Sequence, residues 1–164
     1  MIYRLPYFEE LDLTQLDEYY DVEIKLGSDE IKIDLNFEVE EIDPGSMDLV
    51  KRSIEDIESQ DAKNRAHISS DFYSESAGTV KSFMKFHIDE IGSALSGIVD
   101  FDDTSKSFDQ QLMEKLKLVR MGFYPQYSTG FIVFDYIVGR EISDEIVVVN
   151  IDRQGELINI AWES

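Results

Sequence analysis

The chain holds two histidines and no cysteine. Thiolate ligands, thiol nucleophiles and disulfides are therefore excluded, and proton transfer would have to run through His67, His87 or a carboxylate. His67 lies in RAHISSD, a stretch without a clear apolar rhythm, and reads as a surface residue. His87 falls on the apolar side of a helical stripe. A catalytic base needs an orienting acid and a pocket, but Asp89 and Glu90, the nearest acids in sequence, fall on other faces of the helix. The spacing predicts a histidine at the edge of the core. The alternative left open is a small-molecule binder or hydrolase whose pocket lies near His87 and Tyr124, Tyr127 and Tyr136. That alternative requires the imidazole to be exposed in a cleft beside a carboxylate.

Metal chemistry finds no better pattern. Asp100, Asp102 and Asp103 begin like a calcium loop, which needs a glycine at its sixth position and a bidentate Glu at its twelfth. Ser105 and Gln111 stand there instead. Asn150, Asp152, Gln154 and Gly155 start in the same way, yet Ala161 occupies the place of the closing Glu, so this stretch reads as a hairpin turn. Glycine-rich phosphate loops, GxSxG elbows and HExxH helices are missing from the sequence. No catalytic residue, cofactor or metal is expected.

What remains is charge. Thirty-five acidic residues face 15 basic ones, for a net charge of -20. Such a field repels nucleic acid and anionic lipid and attracts cationic surfaces. It is uneven: residues 1–50 hold 15 acids and 3 bases. Within that segment, YDVEIKLGSDEIKIDLNFEVE alternates apolar and polar residues on both sides of Gly27-Ser28-Asp29. Period two with a short glycine-containing connection predicts a β-hairpin with one buried and one wet face. The wet face would carry Asp21, Glu23, Asp34, Glu38 and Glu40, the residues expected to bind a partner.

The elements that position these groups follow from the rest of the pattern. Asp43-Pro44-Gly45-Ser46 offers a cap and a first-turn proline, and Met47, Val50, Ile54 and Ile57 recur at helical spacing. Residues 59–76 are weakly patterned and either extend or break that helix. Gly78-Thr79 opens a second helix, with Val80, Phe83, Met84, His87, Ile88, Ile91, Leu95 and Ile98 on one face. Ser107 caps a third, with Phe108, Leu112, Leu116 and Val119 inward, Gly122 as its stop and Pro125 beyond it. FIVFDYIV, EIVVVNI and ELINIAW are strands, apolar at nearly every position and so expected at the centre of a sheet. The expectation is a single α+β domain over residues 1–164. It comprises an N-terminal hairpin, about three helices and a C-terminal three-stranded antiparallel meander, all forming one sheet packed by helices. At 164 residues and 43% hydrophobic content the chain can bury a substantial core. MIYRLPYFEE lacks the basic and apolar regions of a secretory signal, and no window approaches a membrane span, so the expected location is the cytoplasm.

Gly122-Phe123-Tyr124-Pro125, Phe134-Asp135-Tyr136, Asp144 to Val149, Asp152-Arg153-Gln154-Gly155 and the closing Trp162-Glu163-Ser164 together resemble a bacterial family of small proteins designated domain of unknown function 2004. The resemblance covers roughly residues 105–164. It implies a cytoplasmic bacterial protein and, through related families, kinship with immunity proteins that neutralise polymorphic toxins. It brings no catalytic set with it. The functional expectation is thus a non-enzymatic, acidic protein-binding domain that occludes a basic protein, in its specific form a toxin, with neither nucleic acid nor membrane as partner. A homo-oligomeric domain paired through sheet edges is the other alternative.

Overall fold

A computed structural model describes residues 1–76 and 78–164. The chain starts with a small antiparallel ribbon, β1 (Ile2–Arg4) against β2 (Glu10–Asp12). A longer hairpin follows, β3 (Tyr19–Leu26) and β4 (Asp29–Asn36), turning at Gly27, which has φ +63°. Then come helices α1 (Pro44–Glu55), α2 (Ile57–Phe72) and α3 (Thr79–Phe86), a single π-helical turn (His87–Ile91), a 3-10 turn (Gly92–Gly97) and α4 (Phe108–Glu114). Strands β5 (Lys117–Phe123), β6 (Ile132–Ile137), β7 (Ile146–Ile151) and β8 (Leu157–Glu163) complete the fold. The main sheet runs β3-β4-β5-β6-β7-β8, antiparallel everywhere except at the parallel β4–β5 junction.

Local chemistry explains most of these boundaries. The Asp43 carboxylate accepts the Ser46 N–H at 2.8 Å, capping α1, while Pro44 sits where a missing N–H costs nothing. Ser107 and Gln110 form a reciprocal capping box at α4. The kink between α1 and α2 falls at Asp56. Apolar residues of one sheet face build the core. Ile33, Met121, Phe134, Val149 and Ile160 form one cross-strand row, and Leu35, Phe123, Ile132, Ile151 and Leu157 the next. Met47, Val50, Ile54, Ile68, Val80 and Phe83 pack down on that face from the helices. The β1–β2 ribbon contributes Leu5, Leu11, Leu13 and Leu16 to the same core.

The α+β class and the N-terminal hairpin match the sequence reading, but several finer expectations need correction. The meander has four strands rather than three, because residues 117–123 form β5 instead of the end of a helix. The Ser107 helix stops at Glu114, and Val119 and Gly122 belong to the sheet. Among the described residues there are four α-helices rather than about three, since the weakly patterned stretch belongs to a helix of its own. The stripe from Val80 to Ile98 does bury Leu95, but through π and 3-10 winding, with Gly92 at φ +54°. Nor does β8 lie in the middle of the sheet. It is an edge, and Ile158 and Trp162 remain 45% and 37% exposed. Among the described residues no helix is long and apolar enough to cross a membrane.

Candidate functional site

The helices all lie on one side of the sheet, and among the described residues none covers the other. On that open side two polar rows cross the strands. One runs Glu23, Lys32, Arg120, Asp135; the other runs Asp21, Asp34, Gly122, Val133, Asn150, Asn159. Arg120 joins them. Its Nε donates to Asp34 Oδ2 at 2.6 Å and its Nη2 to Asp34 Oδ1 at 2.9 Å, a bidentate fork. Its Nη1 reaches Asp135 Oδ2 at 3.2 Å, and Nη2 also donates to the Tyr124 hydroxyl at 2.9 Å. Asn36 Nδ2 adds a third bond to Asp34 at 2.6 Å. Gly122 makes this possible: a Cβ there would lie 2.4 Å from Arg120 Nη2.

Burial works to lower the pKa of Arg120, but the bonds to Asp34 and Tyr124 and the charges of Asp34 and Asp135 outweigh it, so the guanidinium holds its proton more tightly than usual. Asp135 moves up from the ordinary carboxylate value chiefly because it is desolvated, with Arg120 opposing the shift. The network sits at the wall of an open pocket of about 480 Å³, completed by Lys32, Arg140, Ser143 and Asp144. Its groups can hold one another in register and present fixed charge. They do not constitute a nucleophile and base.

The five residues expected to bind a partner separate into three groups. Asp34 is fully buried and paired with Arg120, which corrects its assignment to the wet face. It does project from the open side of the sheet, but a guanidinium from a strand 86 residues further along the chain covers it. Asp21 and Glu23 stand exposed on edge strand β3, and Asp21 is within 3.2 Å of Lys32. Glu38 and Glu40 are exposed but not on the hairpin, because β4 ends at Asn36. The chain instead bends across residues 13–18: Glu18 O accepts Phe37 N, Glu40 O accepts Leu16 N, and Leu13 O accepts Ile42 N. Gln126 bonds the backbone of Glu38, Val39 and Glu41 and fixes this crossing. Asp17, Glu18, Glu38, Glu40 and Glu41 thereby form an exposed acidic ridge without an ion pair among the described residues. Sequence alternation carried the strand two turns of the pleat too far and so placed Glu38 and Glu40 on the wrong element.

His87 is fully buried against Phe83 and Phe86, with ring centroids 4.4 and 5.3 Å away. Its Nδ1 faces the Phe83 carbonyl at 2.8 Å, and a carbonyl only accepts, so Nδ1 carries the proton. Nε2 therefore accepts the Ser143 hydroxyl at 2.6 Å. Burial lowers the imidazole pKa, opposed by the Phe83 bond and the Glu145 charge. This is a satisfied core histidine, not a base exposed in a cleft, and the requirement set for a hydrolase at His87 is not met. Asp100 and Asp103 bind their own turns, accepting from Asp102 N at 3.0 Å and Ser105 N at 2.8 Å. Asp152 Oδ1 accepts from Gln154 and Glu156 N–H groups in the β7–β8 turn, where Gly155 has φ +82°. Among the described residues no group of three His, Asp or Glu side chains gathers as a metal site would require. Arg120 escaped the sequence reading as a site residue, and Tyr124, expected beside His87, meets Arg120 instead. The only available signal was the alternation of polar Arg120 and Gly122 with Met121 and Phe123, which marks a strand with one polar face. Comparison with family models, with curated proteins and with solved structures finds no match to this chain.

Proposed function

We propose that the protein is a non-enzymatic binding domain that docks a basic protein on its acidic N-terminal flank. The observation that carries this reading is the ridge of Asp17, Glu18, Glu38, Glu40 and Glu41, continued along the edge strand by Asp21 and Glu23. These carboxylates are held by backbone pairing and by Gln126, so binding would cost little ordering of the chain. Their field would steer a cationic partner and make association sensitive to salt. Exposed Tyr7, Tyr19 and Val39 on the same segment offer apolar contact area that charge alone lacks. Toxin neutralisation in a bacterial cytoplasm is the specific form of the proposal. It draws on the resemblance of residues 105–164 to domain of unknown function 2004.

The experiment compares the protein with a variant carrying Glu18→Gln, Glu38→Gln, Glu40→Gln and Glu41→Gln. Each is immobilised and exposed to extract of its own cells, and a basic protein retained by the first is purified and titrated. The proposal expects retention to vanish in the variant and affinity to fall as salt rises from about 50 to 200 mM. Equal retention by both proteins, or an affinity indifferent to salt, rejects it.

A further inference from the structure

A second concave site lies on the other side of the molecule from the open sheet face, where the kinked α1–α2 pair meets the end of the sheet and the β7–β8 turn. Of the chain's 15 basic and 35 acidic residues, three basic and two acidic ones line this cleft of about 220 Å³. The cations are Arg52, Lys63 and Arg153, and His67 stands with them. Arg52 and Lys63 are exposed and make no ion pair among the described residues. Arg153 is fixed in place: it donates to Pro125 O and Ser46 Oγ, each at 2.6 Å, and lies over the Phe131 ring at 5.4 Å. Of the two acids, Asp152 has Oδ1 committed to its own turn, and the Asp56 carboxylate makes no hydrogen bond or ion pair among the described residues. The cleft carries more positive than negative charge in a strongly acidic chain, as the open-face pocket beside Arg120 does, but here Arg52 and Lys63 have no carboxylate paired with them among the described residues.

Helix α2 supplies the inner wall in a particular way. Gln60, Lys63, Asn64 and His67 recur at three- and four-residue steps and all face the cleft, so the helix shows it a polar stripe where an apolar one would be usual. Asn64 is 2% exposed, and its Nδ2 makes no well-formed hydrogen bond among the described residues; the acceptor beside it is the Tyr136 hydroxyl, which donates to Asp61. A buried donor left without a well-formed bond is costly and calls for an explanation. Phe131, Ile132 and Leu49 provide an apolar floor beside the polar wall. Cations at the mouth, a buried amide in the wall and an apolar floor suit a small molecule with an anionic head and a compact apolar body.

We propose that this cleft binds a small phosphate monoester, with the phosphate between Arg52 and Lys63 near His67 and Asn64, and the organic group on Phe131 and Ile132. The acidic flank takes no part in it, so the two readings stand or fall separately. Phenyl phosphate is the probe, followed by NMR at the Asn64 side-chain amide and the His67 ring, with phenol and inorganic phosphate as comparisons. Saturable shifts at both residues are expected with phenyl phosphate. Inorganic phosphate should bind about tenfold more weakly and phenol should leave the signals unmoved. Lys63→Glu and Arg52→Glu, both at exposed positions, should each weaken phenyl phosphate by about tenfold or more, while Lys81→Glu on α3 should not. Unchanged thermal unfolding of the variants would show that the fold persists. No shift with millimolar probe, equal shifts with phenol, inorganic phosphate binding as tightly as the ester, or indifference to Lys63→Glu would each overturn the proposal.

Discussion

Gly122→Ala tests whether the buried Asp34–Arg120 fork holds the sheet as described. A Cβ at this position would lie 2.4 Å from Arg120 Nη2, 2.8 Å from Cζ and 3.1 Å from Asp34 Oδ1. The backbone there needs no positive φ, so the collision with the guanidinium is the whole effect. Arg120 has an escape route because its side chain is 26% exposed, whereas Asp34 has none. Removing one partner of a buried ion pair costs about 3–5 kcal/mol. Rehydration of the displaced arginine favours the low end of that range, and the surviving Asn36 bond to Asp34 returns about 1 kcal/mol. Alanine in a strand gains about 0.5–1 kcal/mol over glycine. The net loss should be about 1–1.5 kcal/mol, read from urea unfolding at neutral pH. In an Arg120→Met background the obstacle is gone, and Gly122→Ala should then be neutral or slightly stabilising. The two changes therefore couple by about 2 kcal/mol in a double-mutant cycle. A Gly122→Ala protein within about 0.5 kcal/mol of the parent, or full additivity with Arg120→Met, would refute the reasoning.

Two further outcomes follow from local geometry. His87 titrates below its ordinary value of 6.5 because it is buried, so the folded ring holds its proton less tightly than the unfolded one. Its contribution to stability is complete above that value and is lost as the pH falls below it. His87→Gln should flatten the stability profile between about pH 5 and 7 in urea titrations, and an unchanged slope would contradict the burial argument. Asp43→Ala removes the cap of α1 together with its bond to Ser46 Oγ at 2.7 Å, and should cost about 1–2 kcal/mol in thermal or urea unfolding, against a few tenths for Glu55→Ala at an exposed position of the same helix.

The parts of the fold legible in the sequence were those with a local physical signature. The β3–β4 alternation, the Asp43 and Ser107 caps and the Gly155 turn each announce themselves within a few residues. The parts that escaped depend on distant partners. Residues 116–123 read as the tail of a helix because Leu112, Leu116 and Val119 keep helical spacing, and only pairing with β4 and β6 makes Lys117–Phe123 a strand. Helix α2 reads weakly because polar residues interrupt its buried face: between Ile57 and Ile68 stand Asp61, which accepts the Tyr136 hydroxyl at 2.8 Å, and Asn64. The acidic character of the first 50 residues was visible at once. Its arrangement was not, because the same alternation that places Asp34 opposite the core cannot reveal the arginine that covers it. Glu38 and Glu40 continue the pattern in sequence while the backbone leaves the sheet to pair with residues 13–18.

The parallel β4–β5 junction has a consequence for how the chain reaches its native form. Asp34 and Arg120 meet across it from positions 86 residues apart, with every helix strung between them. Bringing such distant points together carries an entropic penalty of about 4 kcal/mol from chain length alone. Apart from the β4–β5 seam, strands β5 to β8 pair with one another in sequence order, so they can assemble as a unit while the leading hairpin is still detached. The final cooperative event is then the docking of that hairpin along β5, and amide exchange should find the β4–β5 seam among the earliest places to open.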